Sequence, residues 1–589
     1  MSYRAPLKDM RFVLNELAGL AEIAKLPGYQ DASPDTVDAI LEEASKFASE
    51  VLDPINLSGD REGSNYADGE VRTPKGFKDA YKKFCAGGWN ALPFEHEWGG
   101  QGLPRLVSTP VQEMWKSSNM SFSLCPLLTQ GAIEALLLRG SDPLKQAYLP
   151  KMVEGKWTGT MNLTEPQAGS DLAMVRTKAE RAGGGKSGDH YLVSGQKIFI
   201  TYGEHDLAEN IVHLVLARTP DAPEGVKGIS LFIVPKFVPN KDGTPGKRNT
   251  ARCASIEHKL GIHASPTAVM VYDKAVGYLV GEENRGLETM FIMMNAARFA
   301  VGLEGVAIAE RAFQRALAFA KERLQGRDLV GGAQGTNAAV PIIRHPDVRR
   351  MLMLMKSQAE AMRALAYTTA AALDIAHKSK SKTHQAFVDL MIPVVKGWCT
   401  ETGIEVASLG VQVHGGMGFV EETGAAQYLR DARITTIYEG TTGIQAMDLV
   451  GRKIAREGGA TAKAWTAELK KLDAQLSGHP EIRTALADGV KAVEECVDFI
   501  VGAKDPRVQF AGAVPFLKLM GIVAGGWQMA RAALAASKGT GDDSFDKAKI
   551  ATVRFYADHV LVQAPGLRNT VINGAAGVMA LTEDQFLAA

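Results

Sequence analysis

The 589-residue chain has no excess of either charge: 66 Lys and Arg stand against 66 Asp and Glu. No overall basic field exists to hold a nucleic acid or an anionic membrane, so neither is expected as a partner. Cysteine is scarce and scattered. Cys85, Cys125, Cys253, Cys399 and Cys496 form no Cys-x-x-Cys pair and have no histidine at ligand spacing, so they read as buried, reduced thiols of a cytoplasmic protein. His96, His263, His345 and His414 show no metal-assembling pattern either, and no metal is predicted. Uninterrupted apolar runs are also missing. The most apolar late stretch, Val508 to Ala536, is broken by Pro515, Lys518, Gln528 and Arg531. It falls short of the ~18 to 20 apolar residues a membrane span needs and is expected as a buried helix. The start, Met1-Ser2-Tyr3-Arg4-Ala5-Pro6-Leu7-Lys8-Asp9, has neither an apolar signal core nor the acid-free, Arg/Ser-rich character of a transit peptide, so it reads as mature protein.

What is present is an ordinary globular composition, 46% apolar and 22% charged, on a chain long enough for roughly three to four domains. Up to about residue 155, apolar residues recur at helical spacing, as in Phe12, Leu14, Leu17, Leu20, Ile23 and again Val37, Ile40, Leu41, Ala44, Phe47. The Gly/Pro-rich run from Gly87 to Gly102 interrupts them as a plain connection or a cavity wall. From Trp157 to Tyr278 short runs such as Ile211–Leu216 and Ile229–Val234 alternate with Gly, Pro, Asp and Asn, predicting a compact antiparallel β domain. Helical periodicity returns from Gly286 to about Arg456, with long segments such as Ala296–Arg323 and His345–Ala376, as in an antiparallel bundle, and a further helical set follows Gly458-Gly459. The expected fold class is α+β, mainly α. Its expected domains are 1–155 helical, 156–280 β, 281–456 a four-helix bundle and 457–589 an additional helical unit.

Three clusters carry the candidate chemistry. Met161-Asn162-Leu163-Thr164-Glu165-Pro166-Gln167-Ala168-Gly169-Ser170-Asp171 precedes Gly195-Gln196-Lys197-Ile198-Phe199-Ile200-Thr201. A flat heteroaromatic ring needs short hydroxyls and peptide N–H groups at its polar edge and apolar groups on its face. Thr164, Ser170 and Thr201 offer the first and Phe199 the second, although Thr and Ser are also ordinary strand and turn residues. Gln412-Val413-His414-Gly415-Gly416-Met417-Gly418-Phe419 pairs two glycines, which let a backbone approach a pyrophosphate or simply pack a tight turn. The run Val330-Gly331-Gly332-Ala333-Gln334-Gly335 lacks the strand a dinucleotide fingerprint requires and reads as a surface loop. The third cluster is Asp431-Ala432-Arg433-Ile434-Thr435-Thr436-Ile437-Tyr438-Glu439-Gly440-Thr441-Thr442-Gly443-Ile444-Gln445.

Together, over about residues 35–456, these motifs resemble the acyl-CoA dehydrogenase family. The resemblance implies FAD as cofactor, contacted by Met161, Leu163, Thr164, Gly169, Ser170, Phe199, Ile200, Thr201, Thr441 and Gly443. It further implies that Gln412, Gly415 and Gly416 contact the ADP part of a neighbouring subunit's FAD. Arg323 matches the arginine that reaches a partner's pyrophosphate, though a surface i,i+4 pair would look similar. Glu439 stands where the family keeps its catalytic base, and an α-proton beside a thioester calls for a desolvated carboxylate of raised pKa. Some members keep the base instead before an arginine on the first long helix after the β domain. Here that position is Ala297, followed by Arg298, so Glu439 is the one candidate at either place. Arg298, Ser170, Tyr438, Glu439 and Gly440 are the implied substrate contacts. Asn295 replaces a frequent Asp that would pair with Arg298.

The implied reaction is oxidation of a saturated acyl-CoA to the trans-2-enoyl-CoA, with α-proton abstraction by Glu439 and β-hydride transfer to flavin N5, as in fatty-acid β-oxidation. By resemblance the thioester carbonyl accepts from the Glu439 N–H and a ribityl hydroxyl. Electron-transferring flavoprotein is the implied acceptor, and a homodimer is preferred to a tetramer. The C-terminal extension is similar to that of longer bacterial members acting on 3-methylmercaptopropionyl-CoA or fatty acyl-CoA. The alternatives are an acyl-CoA oxidase, a flavin monooxygenase on the same fold, and a scaffold that has lost its cofactor.

Overall fold

The computed structural model describes residues 2–182, 190–328 and 339–587. The glycine-rich run 330–335 lies outside them. Helix α1 (Pro34–Phe47) starts where Ser33 accepts from the Thr36 N–H at 3.2 Å and Pro34 presets the first turn, and it buries Val37, Leu41 and Ala44. It is followed by α2 (Phe77–Ala86), α3 (Arg105–Ser118), α4 (Met120–Arg139) and α5 (Asp142–Val153). Phe84 ties three of these together, 4.8 Å from Trp115 and 5.8 Å from Phe122 between ring centroids. In the loop after α2, the Asn90 amide donates to the Met152 carbonyl at 2.9 Å. Between α1 and α2 the chain also forms a small hairpin, Asn65–Ala67 with Glu70–Arg72, which helical periodicity did not predict.

The middle of the chain supplies β1 (Trp157–Asn162), β2 (Lys178–Ala182), β3 (His190–Thr201), β4 (Asn210–Ala217), β5 (Ser230–Pro235), β6 (Ala251–Ile256) and β7 (Thr267–Val280). They hydrogen-bond in the order β1-β4-β5-β7-β3-β2, with β6 also on β7. The sheet is antiparallel except that β1 runs parallel to β4. An all-antiparallel sheet was expected, and this pair departs from it because two strands intervene between its members, giving the crossover that parallel pairing needs. Strand β7 is long enough to serve both halves, its first part pairing with β3 and Tyr278–Val280 pairing with β5.

Helices α6 (Gly286–Glu322), α7 (Pro346–Ser379) and α8 (Lys382–His414) form the long core of the bundle, followed by α9 (Ala425–Arg433) and α10 (Thr442–Met447). α6 and α8 run parallel and very close. A Cβ on Gly305 would sit 2.2 Å from the Cys399 carbonyl oxygen, and one on Gly302 2.6 Å from Val395. The last unit contains α11 (Ala460–Lys470), α12 (Pro480–Gly502), α13 (Ala513–Lys538) and α14 (Asp543–His559). Trp398 of α8 wedges against Gly521 and Gly525 of α13, where a Cβ would lie 2.1 and 2.8 Å from its side chain. The buried helix expected over Val508 to Ala536 is thus present from Ala513, broken at Gly512 from a short preceding helix, Pro506–Ala511.

Helices α4 and α6 are long and apolar enough to cross a membrane, but their most apolar windows are 83% and 67% buried inside the fold. The five cysteines are free; four are buried as expected, whereas Cys85, in the last turn of α2, is half-buried.

Candidate active site

The structure brings the first two sequence segments together. The Ile198 N–H donates to the Thr164 carbonyl at 2.9 Å, and the Thr160 hydroxyl donates to the Thr201 carbonyl at 2.7 Å. Beneath them the fully buried Lys197 ammonium donates to the Leu163 carbonyl at 3.0 Å and pairs with Glu165 at 2.8 Å. Glu165 also accepts from the Thr177 hydroxyl at 2.6 Å and the Arg176 N–H at 2.8 Å. Burial pushes Lys197 down to about 8, with Glu165 pulling the other way. This brace leaves Thr164 and Thr201 half-buried and Gly169 and Ser170 at the surface. Phe199 is 59% exposed and has φ +60°, while Met161 and Ile200 face the interior. A phenylalanine turned outward in the left-handed region is a costly arrangement for an isolated surface and points to a function.

The second gathering surrounds Glu439. Helix α9 ends in a 3₁₀ turn at Ile434–Thr436, and the chain then passes Tyr438 into Glu439 at φ +55° and Gly440 at φ +94°. Three side chains hold this bend. Lys396 of α8 donates to the Gly440 carbonyl at 2.6 Å, and the Gln445 amide reaches the Glu439 and Gly440 carbonyls at 3.4 and 3.3 Å. The Tyr438 hydroxyl donates to the buried Glu304 of α6. Burial pushes the half-buried Glu439 carboxyl up to about 7, against the pull of Lys396 and Arg298. Lys396 is itself pushed down to about 8 by burial. Arg298 stands close by, its Nη2 3.8 Å from where a Gly440 Cβ would lie. It contacts Asn295 and Asp448, each at 3.5 Å, so Asp448 provides the carboxylate that position 295 lacks. Thr441 caps α10, accepting from the Ile444 N–H at 3.2 Å, and Gly443 lies in its first turn.

The cluster from Gln412 to Phe419 sits elsewhere. Gln412, Gly415 and Gly416 are exposed at the far end of α8, with Phe419 89% exposed just beyond. The rings of Phe319 on α6 and His414 on α8 lie 4.4 Å apart, so exposed Arg323 ends its helix at that same end. At about 1.5 Å per residue, Phe319 is ~30 Å along α6 from Arg298. Added Cβ atoms on Gly169, Gly415 and Gly416 would meet nothing within 4 Å. Packing inside the chain therefore does not explain these glycines. Among the described residues no cluster of three or more metal-ligating side chains occurs.

Sequence reasoning missed Lys396, Glu304, Gln445 and Asp448. Gln445 lay inside the quoted motif; the others are single charged residues in or beside long helices, with no local pattern to set them apart.

Comparison with known proteins matches the chain over almost all its length. Residues 34–156, 160–275 and 284–455 match the acyl-CoA dehydrogenase N-terminal, middle and C-terminal domains, and 459–582 match the acetyl-CoA dehydrogenase C-terminal-like domain. The chain is 51% identical to 3-methylmercaptopropionyl-CoA dehydrogenase of Ruegeria pomeroyi, over 96% of this chain and 97% of the relative. It is 34% identical to a butyryl-CoA dehydrogenase of Syntrophomonas wolfei, over 97% and 96%. In fold it is similar to a Bacillus anthracis acyl-CoA dehydrogenase solved with FAD, at 20% identity and TM-score 0.75, covering 98% of this chain and 92% of that one. With the domain matches running in order along the chain and a relative of this identity at full length, the protein belongs to the acyl-CoA dehydrogenase family of oxidoreductases.

Proposed function

We propose that the protein oxidises a saturated acyl-CoA to the trans-2-enoyl-CoA, with Glu439 as the base, and that a short acyl group of the 3-methylmercaptopropionyl type is the one to test first. The observation that carries this reading is the Glu439 carboxyl itself. It is desolvated enough to hold its proton up to about 7, and its strained backbone is clamped by Lys396, Gln445 and Tyr438. The choice of acyl group rests on the 51% identity to the Ruegeria pomeroyi enzyme.

In this reading Glu439 takes the α-proton and keeps it on its carboxyl. Its N–H donates to the thioester carbonyl as negative charge develops there. Arg298 orients the thioester beside Gly440. The residues present fit FAD: the open glycines 169, 415 and 416, the hydroxyls of Thr164, Ser170 and Thr201, and the outward ring of Phe199 offer backbone, polar edge and apolar face. When bound, FAD supplies the acceptor for the hydride that leaves the β-carbon. The ~30 Å between Arg298 and the end of α6 supports a second copy of the chain bringing Gln412, Gly415, Gly416 and Arg323 to that cofactor, hence a homodimer.

Glu439→Gln is expected to keep its FAD while losing the anaerobic flavin bleaching that acyl-CoA causes in the wild type. Undiminished bleaching in the variant would refute Glu439 as the base. A panel of acyl-CoA thioesters assayed the same way ranks the acyl groups. Electron-transferring flavoprotein is the proposed electron acceptor, and rapid release of hydrogen peroxide in air would assign an oxidase instead.

A further inference from the structure

The proposed base has a second carboxyl behind it. Glu304, on α6, is fully buried; one of its oxygens accepts from the Tyr438 hydroxyl, and the other, Oε1, has no partner. Across from it on α3, Lys116 is equally buried, and its ammonium has a single hydrogen bond, to Gln112 at 3.4 Å. Gln112 continues to Gln130 of α4 at 3.1 Å, and Gln130 donates to the Asn90 carbonyl at 3.2 Å. A polar chain thus runs from Lys116 into the interior of the N-terminal helices, and Lys116 acts on Glu304 through its charge alone. A buried carboxyl oxygen left without a donor is destabilising, so a role in the site is a better account of Glu304 than packing.

We propose that Glu304 is a positioning residue for Glu439. Its hydrogen bond to Tyr438 fixes the bend that aims the base, and its negative charge opposes ionisation of the base. The inference rests on the reading of Glu439 as the base.

The geometry supports both halves. The Glu439 bend lies in the left-handed region, which a non-glycine residue occupies only when its neighbours hold it there. Lys396 and Gln445 clamp the carbonyl side of that bend, and Glu304, through Tyr438, clamps the residue before it. The charged and titratable groups facing Glu304 are Lys116 from α3, Lys396 from α8, and Tyr438 and Glu439 from the segment after α9; Arg298 shares its helix. Burial pushes Glu304 up to about 7, Lys116, Tyr438 and Lys396 pull it down, and Glu439 pushes it up again. The last effect is reciprocal, because each carboxylate makes the other harder to ionise. Two acids titrating in the same range therefore share one buried region, and the charge on one tunes the other.

The test is anaerobic flavin bleaching by acyl-CoA across pH, on FAD-loaded wild type, Glu304→Gln, Tyr438→Phe and Glu439→Gln. Glu304→Gln keeps an acceptor for Tyr438 and removes the charge; burial already favours the neutral acid, so the fold should accept it. The expected result is an acid limb moved to lower pH by roughly half to one unit, with a plateau rate within about threefold of wild type. Tyr438→Phe removes the hydrogen bond and is expected to lower the plateau roughly tenfold. A Glu304→Gln profile that overlays the wild type, or a Tyr438→Phe plateau equal to it, overturns the inference. If Glu439→Gln still bleaches, the base assignment itself has failed. If it does not bleach while the Glu304→Gln limb stays in place, only the role of Glu304 has failed.

Discussion

At the scale of single residues, the site is a balance between burial and two cations. Because burial holds the Glu439 carboxyl up to about 7, its ionised form is lost as pH falls through that range, and with Glu439 as the proposed base flavin reduction should show an acid limb there. Lys396 lowers the same carboxyl, so Lys396→Met should move the limb to higher pH by about one unit, the direction opposite to Glu304→Gln. Stopped-flow bleaching against pH checks the sign. The same shift bears on stability. An acid whose folded pKa is raised contributes stability that is fully present below its unfolded value and is lost as pH rises through the folded one. Replacing Glu439 by Gln should therefore stabilise the protein by an amount that grows between pH 4.5 and about 7 and then levels off. The gain is on the order of 1 to 2 kcal/mol, discounted for solvent reaching the half-buried side chain, and is read as a higher Tm at pH 8 at equal flavin content. Much of this was legible beforehand. Glu439, Arg298 and the two segments around Thr164 and Thr201 were singled out by contiguous motifs, and the structure brings those two segments together. Lys396 and Glu304 were not legible, because what distinguishes them is burial, set by helices distant in the chain.

At the scale of elements, periodicity was a good guide wherever one face of a helix or strand was buried, and failed where tertiary pairing decided. The helices over Ala296–Arg323 and His345–Ala376 appear almost as spaced, whereas the parallel β1–β4 pair had no signature, since both strands are buried on both faces and look like any sheet-core strand. The short hairpin 65–72 was masked by its polar residues. The close α6–α8 crossing depends on Gly302 and Gly305, which in sequence look like liabilities inside a helix. Here they let two backbones meet. Gly305→Ala would force its methyl into the Cys399 carbonyl and is expected to cost about 1 to 3 kcal/mol, measurable as a lower Tm. Arg298 on α6 and Lys396 on α8 lie on this pair of helices, so flavin reduction should slow as well.

At the scale of the whole molecule, the two ends of the chain are tied to the bundle by one buried ionic knot. Arg363 of α7 pairs with Glu113 of α3 at 2.6 Å, Glu310 of α6 at 2.8 Å and Asp9 of the N-terminal segment at 2.7 Å. Lys549 of α14 joins through Asp9 and Glu360. Burial pushes Asp9 up, but Lys549 and Arg363 outweigh it and hold its carboxyl well below the usual range. Arg363→Met would remove the charge partner of Glu113 and Glu310, leaving them the Tyr367 hydroxyl and the Gln314 amide, and is expected to cost about 3 to 5 kcal/mol. Limited proteolysis should then release the N-terminal segment and the C-terminal unit faster than from wild type.

The separation of the Glu439 region from the Gly415-Gly416 turn has a consequence for genetics. If each cofactor is held by one chain's Thr164–Thr201 region and another chain's glycine turn, a bulky replacement at Gly416 and the Glu439→Gln change are defects of different halves of a shared site. Two alleles, each null alone, should then complement. In a mixed dimer one site collects both lesions while the other collects none, so co-expression should restore roughly a quarter of wild-type activity overall, given random pairing of equal amounts. Two alleles within the Glu439 bend, such as Glu439→Gln and Tyr438→Phe, should show no such recovery beyond their separate activities.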